Sequence, residues 1–104
     1  MNPNLLRFIS AFPTLNVLVI GDAMLDNYLE GYTDRVSREA PVPVVTIQSY
    51  RPAPGGAANT AANIASLGSR VWFLSVVGED GDGELLRRSL EEYGVMTEHM
   101  LVHA

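Results

Sequence analysis

Hydrophobic positions along the chain fall into three rhythms. Leu5, Leu6, Phe8, Ile9 and Phe12 recur at near-helical spacing after Asn4, which is placed to cap them, and Pro13 stops the run, so a short leading helix is expected. Val17 to Ile20 is an unbroken apolar run within Asn16–Gly21, the pattern of a strand buried on both faces in a helix-covered parallel sheet. From Asn27 to Tyr50 the period drops to two. Tyr28, Glu30 and Tyr32, then Val42, Val44, Thr46, Gln48 and Tyr50, read as short strands of a half-exposed sheet, interrupted by the polar stretch 33–39. Pro52, Pro54, Gly55 and Gly56 punctuate a loop, and Ala57 to Leu67 is an alanine-rich helix closed by Gly68 as a left-handed C-cap. Arg70 to Val77 reads as a largely buried strand, followed by a turn of glycines and acids over 78–83. Asp82 is positioned to cap a helix reaching about Tyr93, with Leu86, Leu90 and Tyr93 on one face and Glu84 four residues before Arg88 on another. Gly94 ends that helix, and Met100 to Val102 begin a further strand.

The order helix, strand, small-sheet excursion, helix, strand, helix, strand predicts an α/β fold, a parallel-sheet core with an inserted β flap over about 27–50. At least one sheet edge is expected to be bare. The chain has 104 residues, 47% of them hydrophobic, enough for one domain that would bury roughly 65% of its extended-chain surface.

Charge and residue inventory narrow the chemistry. Seven cations against twelve acids give a net charge of −5, so the basic footprint of a nucleic-acid or anionic-membrane binder is missing. Every cation is arginine, which removes a P-loop lysine, a Schiff-base lysine and a lysine general base. With no cysteine, disulfides, thiolate catalysis, iron–sulfur clusters and cysteine zinc sites are excluded as well. The N-terminus has no basic region leading into a long apolar run, and the longest apolar run is four residues, so a cytoplasmic chain with no membrane span is expected.

The segment richest in chemistry is Pro54-Gly55-Gly56-Ala57-Ala58-Asn59, a glycine pair directly before a helix. Glycines let a ligand approach the backbone, and free N–H groups of a helix's first turn favour electronegative oxygens. Asn59, one turn in, adds a donor and an acceptor suited to sugar hydroxyls. Taken locally, the same residues also fit a tight turn into a helix that packs through small side chains.

The longer spacing carries more. Gly55-Gly56-Ala57-Ala58-Asn59-Thr60-Ala61, then Gly68, then Gly78, resembles the first signature of the ribokinase-like (PfkB) carbohydrate kinases over 24 residues. Ile20-Gly21-Asp22-Ala23-Met24-Leu25-Asp26 is similar to that family's opening strand, which delivers an aspartate to the sugar site, and Asp26 fills the position. Gly21 to Asp26, Ser37-Arg38-Glu39-Ala40-Pro41-Val42-Pro43-Val44 and Pro54 to Asn59 together look like the branch that phosphorylates heptose 7-phosphate.

The resemblance implies a ribokinase-like fold, with 1–104 as the N-terminal part of one kinase domain and 27–50 as a β lid over the sugar. It implies that Asp26 accepts hydrogen bonds from sugar hydroxyls and that Gly55, Gly56 and Asn59 line the same pocket. Asp22 is either a sugar contact or a strand-end acid bonding local backbone N–H groups. Arg38 is either a phosphate contact through its planar fork or a solvated lid edge. The implied reaction moves the ATP γ-phosphoryl group to the anomeric hydroxyl, on the way to ADP-heptose and lipopolysaccharide core, with Mg2+ as cofactor. Family kinases take the catalytic base and anion hole from a distal Gly-Ala-Gly-Asp segment beside the ATP site, which is not in this sequence, so this chain alone is expected to be inactive and to bind neither cofactor. A homodimer through the lid is also implied. Two other readings stay open: a kinase for ribose, fructose phosphate or a nucleoside, and a non-catalytic sugar-binding or dimerisation module.

Two further clusters are read as structural. Glu79, Asp80, Asp82 and Glu84 fail calcium-loop spacing and fit the family's Gly-x-Asp-x-x-Gly turn. His99 and His103 have no third ligand and sit on an expected strand, where a spacing of four does not make one helical face.

Overall fold

The computed structural model describes residues 2–104, apart from the side chains of Asp34, Ile47, Gln48 and Tyr50, so the outward pattern assigned to Gln48 and Tyr50 lies outside the described residues. Helix α1 spans Pro3–Ala11, and its cap is Asn2, whose side chain accepts the Asn4 N–H at 2.9 Å. The cap thus sits two residues before the expected Asn4. Pro3 explains the shift, because a proline's missing N–H is harmless in the first helical turn. A 3-10 turn over Phe12–Thr14 absorbs Pro13. No residue of α1 is buried, and Leu5, Leu6, Phe8 and Ile9 all face outward.

The core forms where strand β1 (Asn16–Ile20) pairs in parallel with β4 (Arg70–Leu74), Val17 beside Val71 and Val19 beside Phe73. Helices α2 (Ala57–Ser66) and α3 (Gly81–Glu92) pack on that face, so Ala58, Ala61, Val71, Phe73, Leu86 and Leu90 form one buried cluster with Val17 and Val19 against it. Burying β1 on both faces was the expectation, and the structure corrects it. Both helices cover the Val17 and Val19 side, while Leu18 and Ile20 are 56% and 68% exposed.

The single strand expected over 70–77 is broken at Ser75. β4 stops at Leu74, and β5 (Val76–Gly78) pairs in parallel with β6 (Leu101–His103) instead. Ser75 is buried at the switch. Its carbonyl accepts the Leu101 N–H at 2.8 Å and its Oγ accepts the Ala23 N–H at 3.2 Å, which ties both sheets to the start of β2 (Ala23–Val36). The segment leading into β6 is held on α3 by Arg87, whose guanidinium donates to the Thr97 carbonyl at 2.8 Å, and by Thr97, whose hydroxyl donates to Glu91 at 2.7 Å.

Helix α3 is capped by Asp80, which accepts the Gly83 N–H at 2.8 Å, and Asp82 lies in the first turn beside Glu84. The expected cap was Asp82. A cap at 82 would start the helix too late for Gly83, which is buried in the first turn so close to the Gly78 carbonyl oxygen that a Cβ would collide with it. A cap of this kind contributes about 1 kcal/mol. The Glu84–Arg88 pair forms at 3.8 Å on the exposed face and adds little. Leu86 and Leu90 are buried, but Tyr93, expected beside them, is the helix C-cap and is half exposed.

The excursion is one long antiparallel hairpin, β2 (Ala23–Val36) against β3 (Pro43–Gly56), with register shifts at Glu30/Gly31 and Thr33/Arg35. It is longer than the period-two pattern implied at both ends. Residues 33–36, expected to interrupt, continue β2, and Pro52, Pro54 and Gly55, expected as a loop, pair with Asn27, Leu25 and Met24. Proline is tolerated because each strand of a two-stranded ribbon has an edge that needs no donor. Ala23 and Leu25 at the hairpin base pack on the core, while the rest projects. The radius of gyration is therefore 18.5 Å, against roughly 13 Å for a compact domain of this length.

Candidate functional site

Three elements meet where β3 runs straight into α2. Gly56 makes the turn at φ 58° and ψ −133°, a conformation essentially confined to glycine, and serves as the N-cap of α2 without a side chain. The first N–H of the helix, from Ala57, donates to the Asp22 carbonyl at 2.9 Å. Gly21 leaves room for the helix as well, since a Cβ there would stand 2.8 Å from the Ala57 Cβ. The end of β1, the start of β2 and the N-terminus of α2 are thereby locked together, with no side-chain cap over the first turn of α2.

Around this knot the sequence-predicted residues are partly assembled. Asp26, on β2 opposite Ala53, leans its carboxylate over the bare Cα of buried Gly55. Asn59 is exposed one turn into α2 and accepts the Asn63 side-chain N–H at 3.3 Å, and its own NH2 has no partner among the described residues. The carboxylates of Asp22 and Asp26 are exposed and likewise unpartnered among the described residues. Among the described residues the Asp22 carboxylate bonds no backbone N–H, and the contact to Ala57 is made by its main-chain carbonyl. Asp22 also lines a concave surface of about 290 Å³ with Ile20, Gly21, Leu74, Ser75, Val76 and Leu101. This surface lies at the carboxyl ends of β1 and β4, where open α/β sheets place their ligands. Arg38 is elsewhere. It lies in the turn beyond Val36, about 30 Å along the ribbon from Asp26 at roughly 3.3 Å per residue.

Two contributors were missed. Gly21 packs on the helix rather than merely ending a strand, and its signal was its place directly before Asp22. Ser75, read as part of a continuous strand, had no signal beyond being a lone hydroxyl in an apolar run.

The arrangement offers acceptors, an amide and open helix N–H groups, which suits a polyhydroxylated ligand. Among the described residues there is no group of three His, Cys, Asp or Glu that could hold a metal, Asp80 is spent on α3, and the chain has no lysine. His99 and His103 are both exposed. Among the described residues no helix is long and apolar enough to cross a membrane.

Several known proteins are similar to this chain. The sequence pattern of the pfkB family carbohydrate kinases matches residues 14–104. The bifunctional protein HldE of Shewanella loihica is 51% identical over 86 residues, covering 83% of this chain and 18% of that protein. HldE of Magnetococcus marinus is 49% identical over 92 residues, covering 88% of this chain and 19% of that protein. The chain thus spans about a fifth of the length of these relatives. Among solved structures, a fructokinase from Vibrio cholerae with fructose, ADP and calcium bound superposes with a TM-score of 0.65 at 28% identity, covering 88% of this chain and 25% of that one. A carbohydrate kinase from Agrobacterium tumefaciens superposes with a TM-score of 0.65 at 26% identity, covering 86% of this chain and 27% of that one.

Proposed function

The chain belongs to the pfkB family of carbohydrate kinases, and from that premise we propose that residues 1–104 form the sugar-binding and lid portion of a kinase domain that phosphorylates heptose 7-phosphate at its anomeric hydroxyl. Asp26 accepts hydrogen bonds from two sugar hydroxyls, Asn59 gives its free NH2 to a third oxygen, and the backbone at Gly55 and Gly56 allows close approach. Asp22 is tied to these residues through its carbonyl, which accepts the Ala57 N–H. The β2–β3 hairpin excludes water as it folds over the sugar, which strengthens each of these bonds. Arg38 meets the sugar phosphate only once the hairpin tip is brought over a site, by bending of the lid or from a second copy. Tyr28, Leu29, Tyr32 and Val36 expose apolar surface along β2, which favours a homodimer through the lid.

Phosphoryl transfer depends on positioning and charge stabilisation, and residues 1–104 supply the acceptor side of both. ATP, Mg2+ and the catalytic base belong to other parts of the complete enzyme in this reading, and the whole acts in the cytoplasm.

The observation that carries the choice of sugar is the 48–51% identity to HldE proteins, against 28% or less to the fructokinase and ribokinase structures. Purified full-length protein, given ATP and a panel of heptose 7-phosphate, ribose, fructose and fructose phosphate, is expected to favour heptose 7-phosphate by at least about 100-fold in kcat/KM. A comparable or better rate on ribose, fructose or fructose phosphate would replace this reading with the wider family one.

A further inference from the structure

Gly55 is one of two adjacent glycines, yet its backbone gives no reason for glycine. Its φ is not positive, and it sits in a regular antiparallel register opposite Met24. The reason lies across the ribbon. Asp26 faces Ala53, so Gly55 is its diagonal neighbour on the same face of the hairpin, within reach of a leaning side chain. A Cβ at Gly55 would overlap the Asp26 carboxylate, standing 2.6 Å from its Cγ and 2.8 Å from Oδ1, with Oδ2 nearer still. Of the atoms a Cβ would approach, the three nearest all belong to that one carboxyl group. Gly55 is buried, so an added methyl group has little freedom to move aside, and the exposed Asp26 carboxyl, at the end of a flexible side chain, is what would swing away. Gly56 differs, because there the obstacle is backbone, the Asp22 carbonyl.

We infer that Gly55 is a positioning residue for Asp26: its missing side chain is the seat in which the carboxylate rests, and it fixes the rotamer that Asp26 presents to the sugar. This assigns Gly55 a role distinct from close approach to the ligand. The inference rests on the sugar-site reading for its effect on substrate, but the seat itself is a property of the ligand-free protein. A carboxylate with no hydrogen-bond partner among the described residues is otherwise held only by its own torsional preferences, so the seat determines how much rotamer entropy binding must remove.

A double-mutant cycle in the full-length protein tests this. Gly55→Ala, Asp26→Ala and the double variant are compared by sugar KM and kcat and by ligand-free thermal unfolding. Gly55→Ala is expected to raise the sugar KM at least about tenfold when Asp26 is present and less than about twofold when it is Ala. In the ligand-free protein, Gly55→Ala should lower the unfolding midpoint only slightly, because the exposed Asp26 carboxylate can swing aside, and Asp26→Ala should remove that loss. Equal effects of Gly55→Ala in both backgrounds, on KM and on the midpoint, would overturn the seat. If Gly55→Ala alone does not fold, recovery of folded protein in the double variant supports the seat, and failure of both to fold overturns it. Coupling in the ligand-free protein with no change of sugar KM in any variant would uphold the seat and overturn the sugar-site reading.

Discussion

Asp26→Ala in the full-length protein is expected to lower kcat/KM for the sugar by about 100- to 10,000-fold, with the thermal midpoint nearly unchanged. The magnitude follows from hydrogen bonds to a charged acceptor, each worth about 1.5–3 kcal/mol, of which the proposed site gives the carboxylate two from sugar hydroxyls. The unchanged midpoint follows from its surroundings. Asp26 is exposed and has no hydrogen-bond or ion-pair partner among the described residues, so folding gains little from it, and substitutions at such positions stay within about 0.5 kcal/mol. Asp26→Asn keeps one oxygen acceptor but loses the charge, and should fall between wild type and Ala. Steady-state kinetics with parallel thermal unfolding separates the outcomes. A midpoint that falls sharply together with activity would make Asp26 a structural residue, and an unchanged KM would remove it from the site.

Gly56→Ala is the substitution expected to cost most in stability, by roughly 2–6 kcal/mol. Two penalties combine. An alanine at φ 58°, ψ −133° is strained by about 1–3 kcal/mol, and its Cβ would lie 2.8 Å from the Asp22 carbonyl oxygen, a crowding worth about 1–3 kcal/mol more. The Met24 methyl group, 2.9 Å away, can swing aside, but the carbonyl cannot, because it holds the first N–H of α2. Gly94→Ala isolates the first penalty. Gly94 also has positive φ, 88°, but nothing lies within 4 Å of where its methyl group would stand, so about 1–2 kcal/mol is expected there. Denaturant unfolding of the two variants should therefore place Gly56→Ala well below Gly94→Ala. Equal losses would mean that the Asp22 carbonyl does not constrain the junction.

The legible and illegible parts of this fold differ in what determines them. Unbroken apolar runs at 17–20 and 71–74, the alanine-rich run before Gly68 and the Leu86/Leu90 repeat are local patterns, and they placed β1, α2 and α3 within a residue or two and β4 at its start but not its end. The α/β class and the family resemblance followed from the same residues. What lies across the ribbon or across the sheet was not legible. Pro52 and Pro54 look like loop residues until β2 is seen to offer them an edge position. Ser75 looks like strand until the switch between sheet partners gives its hydroxyl the Ala23 N–H to bind. The exposure of Leu18 and Ile20 depends on both helices packing on one face, which no spacing within the strand encodes. The candidate site divides in the same way. Gly56 and Asn59 were marked by motif and local chemistry, whereas the dependence of Asp26 on Gly55 is a diagonal contact between strands 29 residues apart, and the distance of Arg38 from the site follows from the hairpin's length.

The central claim is that Asp26, Gly55, Gly56 and Asn59 form the floor of a sugar site. A structure of the full-length protein with heptose 7-phosphate bound tests it most directly. Sugar hydroxyls are expected within about 3 Å of the Asp26 carboxylate and the Asn59 amide, with the ring above the Gly55–Gly56 backbone. A sugar bound with both side chains still facing solvent, away from the junction of β3 and α2, would contradict it.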